Sequence, residues 1–162
     1  MKHMTQQLLG VFNSSAVLSV SMPIGKTPTT ETWVSVYQVM PGIALEVGDY
    51  IKAFATAEFT NNMGFDVGLV TALTIDTATP PANEPISPAG QYLDPPAGDD
   101  FGTDNLHHKR VVSIGAIILA EALPATAFLS LMSAAQSTAA TTSSSIAVCP
   151  TGYGSMWVEV WR

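Results

Sequence analysis

An alternation of apolar and polar residues between Asp49 and Ile75 constrains the fold of this chain more than any other feature. It predicts two consecutive β-strands, Tyr50 to Phe59 and Gly64 to Ile75, joined by a turn over residues 60–63. A period of two residues is typical of a strand with one buried face and excludes an amphipathic helix. On the second strand, one face carries Phe65, Val67, Leu69, Leu73 and Ile75, with Thr71 as its only polar member.

Extended runs recur along the rest of the chain, and residues that favour turns separate them. Pro41-Gly42 and Gly48-Asp49 supply the fixed or positive φ that a chain reversal needs. Many short strands without a helical window predict an all-β sandwich or barrel in one domain over residues 1–162. Of the two, the predicted fold is an antiparallel two-sheet sandwich of about 8–10 strands. The predicted strands are Leu8 to Phe12, Ala16 to Met22, Thr32 to Met40, Ile43 to Val47, Tyr50 to Phe59, Gly64 to Ile75, His107 to Ala120, Thr126 to Ser137, Ser145 to Cys149 and Ser155 to Trp161.

Two segments depart from this pattern. Residues 1–7 are predicted to form a flexible arm, and residues 77–106 a long exposed excursion. Proline cannot donate a hydrogen bond to a neighbouring strand, so a proline-rich segment does not fit a central sheet position. The excursion contains Pro80, Pro81, Pro85, Pro88, Pro95 and Pro96.

Composition excludes some classes of partner. The net charge of −7 repels phosphate backbones, and the few basic residues are scattered, so we expect no nucleic-acid binding. Only 12% of the residues are charged and 47% are apolar, which predicts a weakly solvated surface. The single cysteine, Cys149, allows no intrachain disulfide and is interpreted as a packing residue at the end of a strand.

We expect no membrane segment and no secretory signal. The most hydrophobic window, Val111 to Ala135, has Glu121 and Pro124 near its middle, which predicts two strands meeting at a turn rather than a spanning helix. The apolar run that starts at Leu8 is too short for a signal peptide.

No residues form a recognisable catalytic constellation, so we expect a protein that is not an enzyme and binds no cofactor. The best metal-ligand set, Asp99, Asp100, Asp104, His107 and His108, has weak spacing, because adjacent histidines on a strand point to opposite faces. We therefore expect no metal.

Several predicted strands are apolar on both faces. In Arg110 to Ala120, Ile114 and Ile118 oppose Ile117 and Leu119. A strand at the surface of a sandwich normally shows one face to water, so this pattern predicts an oligomer or docking onto a larger assembly, with coverage by loops of the same chain as the alternative. The predicted interface residues are Trp33, Tyr37, Ile117, Leu119, Trp157 and Trp161; a sugar-stacking platform is the alternative for the three tryptophans.

The order of strands and turns carries a resemblance. Glu46 to Ile51 form a Gly-Asp turn that opens a long strand, Leu123-Pro124-Ala125 form a later turn, and Trp157 to Val160 lie in a closing strand. From Thr32 to Arg162 the chain resembles the small jelly-roll domains of tailed-phage structural proteins, which are similar to the tumour-necrosis-factor and C1q-like sandwich.

The resemblance implies jelly-roll topology and a bacteriophage virion protein assembled in the host cytoplasm, often a homotrimer. Such a protein decorates or cements a capsid by binding the major capsid protein, or lies at a fibre tip. No functional residue can be carried over. Two alternatives stay open: a receptor- or carbohydrate-binding domain of a tail or fibre, and a cupin-type enzyme with metal-binding histidines.

Overall fold

The computed structural model of the protein describes residues 6–26, 32–61, 63, 65–76, 84–85, 107–149 and 154–162. Within them the fold is all-β, as predicted, with no helix. The strands are β1 (Leu8–Ser14), β2 (Ser21–Gly25), β3 (Val34–Val39), β4 (Tyr50–Asn61), β5 (Gly68–Asp76), β6 (Glu84–Pro85), β7 (His107–Ile118), β8 (Phe128–Gln136), β9 (Ser145–Val148) and β10 (Ser155–Trp161).

The strands pair in two groups that share β2. In the first group, β10 lies between β1 and β4, and β4 pairs along its full length with β7. In the second group, β8 lies between β3 and β5, and β6 continues beyond β5. Strand β2 pairs with β9, which contacts the end of β4, and also with β8. The described strands therefore form one connected hydrogen-bonded network.

The prediction of a purely antiparallel fold is wrong at one place. Strand β2 runs parallel to β8, pairing Ile24 with Ala135 and Gly25 with Gln136. Its other neighbour, β9, is antiparallel. Strand β2 lies between the two groups and pairs with one strand of each, so its direction cannot be antiparallel to both when those two strands differ in direction. The parallel part is short, since this strand of five residues makes only two parallel pairs.

Strands that follow each other in the chain do not pair across the predicted turn at residues 60–63. Strand β4 continues to Asn61, and β5 belongs to the other group. The Asn61 side chain organises this crossing, since its Oδ1 accepts the backbone N–H of Met63 at 2.9 Å and its Nδ2 donates to the carbonyl of Phe65 at 2.9 Å. An asparagine that replaces backbone partners in this way is typical of a turn.

Several strand boundaries differ from the prediction. The predicted strand from Ala16 to Met22 is replaced by β2, which begins at Ser21. The predicted strand from Ile43 to Val47 is reduced to a single bridge, in which Leu45 exchanges two 2.9 Å backbone hydrogen bonds with Leu123. Gly42 and Gly48, with φ of 72° and 92°, bend the chain on both sides of that bridge.

Both strand groups contribute to one hydrophobic core. Burial of each large side chain stabilises the fold by about 1.5–3 kcal/mol relative to exposure. The predicted arm is tied at its end, because Gln7 exchanges two backbone hydrogen bonds with Arg162. Core members from the first group include Ile51, Ala53, Phe59, Met156, Val158 and Val160, and those from the second include Tyr37, Leu69, Leu73, Leu129 and Leu131.

Candidate interaction surface

The side of β7, β4, β10 and β1 that points away from the core forms a regular surface, which we call the outer face. Residues opposite each other on paired strands share a face, so the strand registers define its rows. Four rows include three or more of these strands, and on β4 the same side continues with Glu58. The four rows are Ile118, Tyr50, Trp161 and Leu8; Ala116, Lys52, Glu159 and Val11; Ile114, Phe54, Trp157 and Asn13; and Val112, Thr56 and Ser155.

Large apolar side chains on the outer face are open to solvent. Isolated exposed apolar residues are ordinary on protein surfaces, but contiguous apolar patches mark interaction sites. Here the exposed residues lie on β7, β10 and β1, and the half-buried Tyr50 and Phe54 of β4 connect them into one patch. The exposed fractions are 66% for Ile118, 54% for Val11, 46% for Ile114, 42% for Leu8 and Trp157, and 41% for Val112.

The alternation of strand side chains explains why these residues face outward. On β4 and β10 the intervening residues, such as Ala53 and Val158, are completely buried in the core. In the middle of β7 the usual arrangement is reversed, since Ser113 and Gly115 are buried on the inner side while the larger Val112 and Ile114 point outward. A strand that places its small residues inside and its branched residues outside is suited to an external contact.

Aromatic and charged residues alternate along the middle of the outer face. The rings of Phe54 and Trp157 pack with centroids 4.8 Å apart and planes tilted by 31°. In the next row, Lys52 and Glu159 are direct register partners on β4 and β10. Glu159 also has a hydrogen-bond partner on its own strand, because Trp161 Nε1 donates to its Oε2 at 3.3 Å.

An arginine clamp fixes one end of the outer face. Arg162 donates from Nε to Asp49 Oδ1 and from Nη2 to Asp49 Oδ2, both at 2.9 Å, and its Nη1 lies 2.8 Å from Glu46 Oε1. Asp49, which is 1% exposed, also accepts the N–H of Glu46 at 2.8 Å. The hydrogen bonds from Arg162 lower the pKa of Asp49 against the opposing effect of burial. The clamp thus joins the end of β10 to the start of β4.

A second polar contact lies inside the core, where Tyr37 meets Cys149. The Tyr37 hydroxyl is 3.1 Å from Cys149 Sγ, and burial raises the pKa of Tyr37, as does this hydrogen bond. Cys149 is buried and unpaired by any disulfide, in agreement with the packing role predicted for it. Its φ of 46° is unusual for a residue with a side chain. The backbone N–H of Cys149 donates to the carbonyl of Glu58 at 2.6 Å.

The structure separates the six predicted interface residues by accessibility. Trp157 is exposed and Trp161 is half-buried, and both lie on the outer face. Trp33 is half-buried just before β3, outside that face. Tyr37 and Leu119 are buried, and Ile117 is half-buried against the core, so these three have little or no surface to offer a partner.

On β7 and the residue that follows it, the predicted interface residues and the exposed residues lie on opposite sides. Of the two apolar faces, Ile117 and Leu119 were assigned to the interface, whereas Ile114 and Ile118 are the exposed pair. The signal that identifies the correct side is the presence of Ser113 and Gly115 on the same face as Ile117, because small residues allow the close approach of a packed layer. Val112 and Phe54 also lie on the outer face and were not among the predicted interface residues.

The metal-ligand set that the sequence offered falls outside the part of the chain whose side chains the structure describes. Asp99, Asp100 and Asp104 lie outside the described residues, as do the side chains of His107 and His108. Among the side chains that the structure does describe, no three His, Cys, Asp or Glu residues come together as metal ligands. In the same part of the chain, no helix has the length and apolar character needed to cross a membrane.

Comparisons with known proteins give structural similarities only. No protein-family model matches the chain, and neither does any curated protein. The chain is similar to a structure of infectious bursal disease virus, Gt strain, with a TM-score of 0.49 and 9% identity over 96% of this chain and 32% of that chain. It is also similar to the VP2 subviral particle of that virus, with a TM-score of 0.47 and 9% identity over 96% of this chain and 33% of that one. A mutant VP2 protein of the same virus, in derived T=1 particles, is similar with a TM-score of 0.43 and 10% identity over 98% of this chain and 36% of that chain. The chain spans about a third of the length of these proteins.

Proposed function

We propose that this protein is a non-enzymatic structural component of a virus particle and acts by binding other protein surfaces. The observation that carries the proposal is the outer face, a sheet surface on which large apolar side chains are exposed to solvent. Removing apolar area from water is favourable by about 25 cal/mol per Å². A face of this kind therefore gains free energy when a protein partner covers it.

The chemical character of the outer face supports adhesion rather than catalysis. Its two central charges, Lys52 and Glu159, are of opposite sign and lie side by side in one row. The rows on either side contain apolar and aromatic residues, among them Ile118 and Trp157. A core of aromatic and aliphatic residues with few charges is the usual composition of a protein interface.

The finer parts of the proposal come from the resemblance to phage jelly-roll proteins. They are a two-sheet sandwich with jelly-roll connectivity, and a decoration or cement role on a phage head through contact with the major capsid protein. The shared core supports the sandwich arrangement, since both strand groups direct their buried faces into it. An open outer face leaves a surface with which such a protein can hold its neighbours.

The proposal is tested by the composition and behaviour of purified particles. Mass spectrometry of virions from the virus or prophage that encodes the chain should detect it in a fixed ratio to the major capsid protein. Deleting the gene should leave heads that assemble but release DNA at a lower temperature. Absence of the chain from purified particles contradicts the proposal.

A receptor- or carbohydrate-binding role is the second candidate, and the Phe54–Trp157 pair favours it. Trp157 is exposed and its ring is held by Phe54, which is how an aromatic platform for a sugar is built. A glycan array separates the two functions, because a cement protein binds no sugar. A deletion that leaves heads stable but prevents adsorption to cells would also favour this candidate.

A further inference from the structure

The outer face is self-complementary in charge and in the placement of its aromatic residues. In its central row, Lys52 on β4 and Glu159 on β10 are neighbours, and the rows above and below place an aromatic residue on each of the same two strands. If a second copy is turned by 180° about an axis that lies above the outer face, midway between β4 and β10 and parallel to them, its β4 lies over β10 of the first copy. Lys52 then meets Glu159 of the second copy, and the reverse contact forms by symmetry.

The same rotation brings the aromatic residues together. Phe54 of one copy lies over Trp157 of the other, and Tyr50 over Trp161, because each pair occupies one row. Packed sheets of this kind lie about 10 Å apart with strands within about 30° of alignment. The exposed Ile118 of β7 meets the row end at which Leu8 stands on β1. In the rows of Ile118 and Lys52, apolar residues thus oppose apolar ones and opposite charges oppose each other, while in the row of Phe54 the outermost contact is between Ile114 and Asn13.

Charge also favours a second copy over an acidic or basic partner. The chain carries a net charge of −7, yet Lys52 and Glu159 cancel within the outer face. Two acidic molecules repel each other where their charges approach, and a neutral apolar face minimises that repulsion. A strongly charged partner would instead require a face of one sign.

The size of the outer face predicts a weak contact. Four strands about 4.8 Å apart and seven residues of about 3.3 Å rise give a projected area of roughly 450 Å². A standard interface takes about 800 Å² from each partner. Protruding side chains raise the accessible area above the projected value, but it stays below that of a permanent dimer. We therefore expect a dissociation constant in the micromolar range.

We propose that the outer face of β7, β4, β10 and β1 binds the outer face of a second copy in a two-fold, face-to-face dimer. This deepens the proposed function and rests on it, because a virus particle brings many copies to high local concentration. For this face it replaces the three-fold contact that the resemblance implies, since a three-fold contact joins two different surfaces whereas this one is self-complementary.

Sedimentation of the full chain over a concentration series tests the dimer through a charge exchange. Lys52→Glu and Glu159→Lys each place like charges opposite one another and should weaken association by about tenfold or more. The double variant restores the opposite signs and should return to within about threefold of the original dissociation constant. Glu159→Lys reduces the net negative charge, so general repulsion alone would strengthen association in that variant. Melting temperatures of each variant keep folding defects apart from association.

A second set of variants tests the apolar part of the contact. Ile114→Lys should weaken the dimer by about tenfold or more. Val20→Lys is the matched control, because Val20 is 74% exposed but lies outside the outer face, and it should leave association unchanged. Equal effects of the two lysines would overturn the inference.

Failures of the two proposals give different results. A chain that is found in purified particles but sediments as a monomer or a trimer overturns the face-to-face dimer alone. The same holds if the double charge exchange fails to restore association. A dimer that responds to the charge exchange while the chain is missing from particles overturns the proposed function instead.

Discussion

Strands β7 and β8 are both rich in apolar residues on two sides, but the two sides meet different surroundings. On β8, Phe128, Met132 and Ala134 point away from the core cluster and are nevertheless buried within the chain. On β7, Ile114 and Ile118 point away from the core and lie in water. Apolar residues on both sides of a strand therefore do not by themselves indicate assembly. They do so only where the second side remains exposed in the single chain.

The largest expected effect comes from truncating one side chain on each of these strands. Met132→Ala removes a side chain that is 4% exposed and should lower the free energy of unfolding by about 2–5 kcal/mol. Ile118→Ala is the matched control at 66% exposure, and we expect a change within about 0.5 kcal/mol. Urea unfolding at low protein concentration measures both. Similar losses would mean that Ile118 is supported by its own chain and that the contrast is wrong.

A smaller loss of stability is expected from adding a methyl group where the chain is closely packed. A Cβ at Gly154 would lie 2.6 Å from the carbonyl oxygen of Thr56 and would also meet the hydroxyl of Tyr37. Gly154→Ala should therefore cost about 1–3 kcal/mol through overpacking. Gly68→Ala is the control, since its Cβ would meet Gln136 Cγ at an ordinary 3.5 Å. Thermal denaturation compares them, and a neutral Gly154→Ala would contradict the close packing around Tyr37.

A gain in stability is expected when a buried hydroxyl on β5 is replaced by a methyl group. The hydroxyl lies on the side of β5 that points away from the core cluster. Thr74 is 3% exposed and pairs with Ser130, and its Oγ1 has no hydrogen-bond partner among the residues that the structure describes. Replacing an unsatisfied buried hydroxyl by a methyl group removes a desolvation cost, so Thr74→Val should stabilise the protein by about 1 kcal/mol. Thr56→Val, on the half-buried part of the outer face, should change little. A destabilised Thr74→Val would show that this hydroxyl has a partner.

The sequence was sufficient for the class of fold and for most strands, because period-two alternation is a local signal. It placed β4, β7, β8 and β10 within a few residues of their observed ends. It did not reveal that β2 runs parallel to β8, since strand direction depends on partners far apart in the chain. Register is likewise a tertiary property, and it alone brings Lys52 beside Glu159. The candidate surface could therefore be predicted as apolar, and Ser113 and Gly115 indicate its side on β7, but the rows that cross the four strands could not be predicted.

The smallest expected effect concerns the clamp that ends the outer face, and it depends on pH. Arg162 lowers the pKa of Asp49 in the folded state, so the clamp stabilises the protein above the unfolded-state value of about 3.9. That contribution is lost as the pH falls through the lower folded-state pKa, when Asp49 becomes protonated. Arg162→Gln should therefore have a lower melting temperature than the original protein at neutral pH. The difference between the two should shrink steadily on acidification.

Lys52→Gln is the matched control for the clamp, because it removes one exposed cation from the same sheet without touching Asp49. Its difference in melting temperature from the original protein should not converge in the same way at acidic pH. If Arg162→Gln shows a constant offset at every pH, Arg162 acts through packing of its side chain on the turn rather than through its charge. The hydrogen bonds from Arg162 to Asp49 would then add no net stability, and the backbone N–H of Glu46, at 2.8 Å, would be the stabilising partner of the carboxylate. The end of β10 would be secured by its ladder with Gln7 rather than by the ion pair.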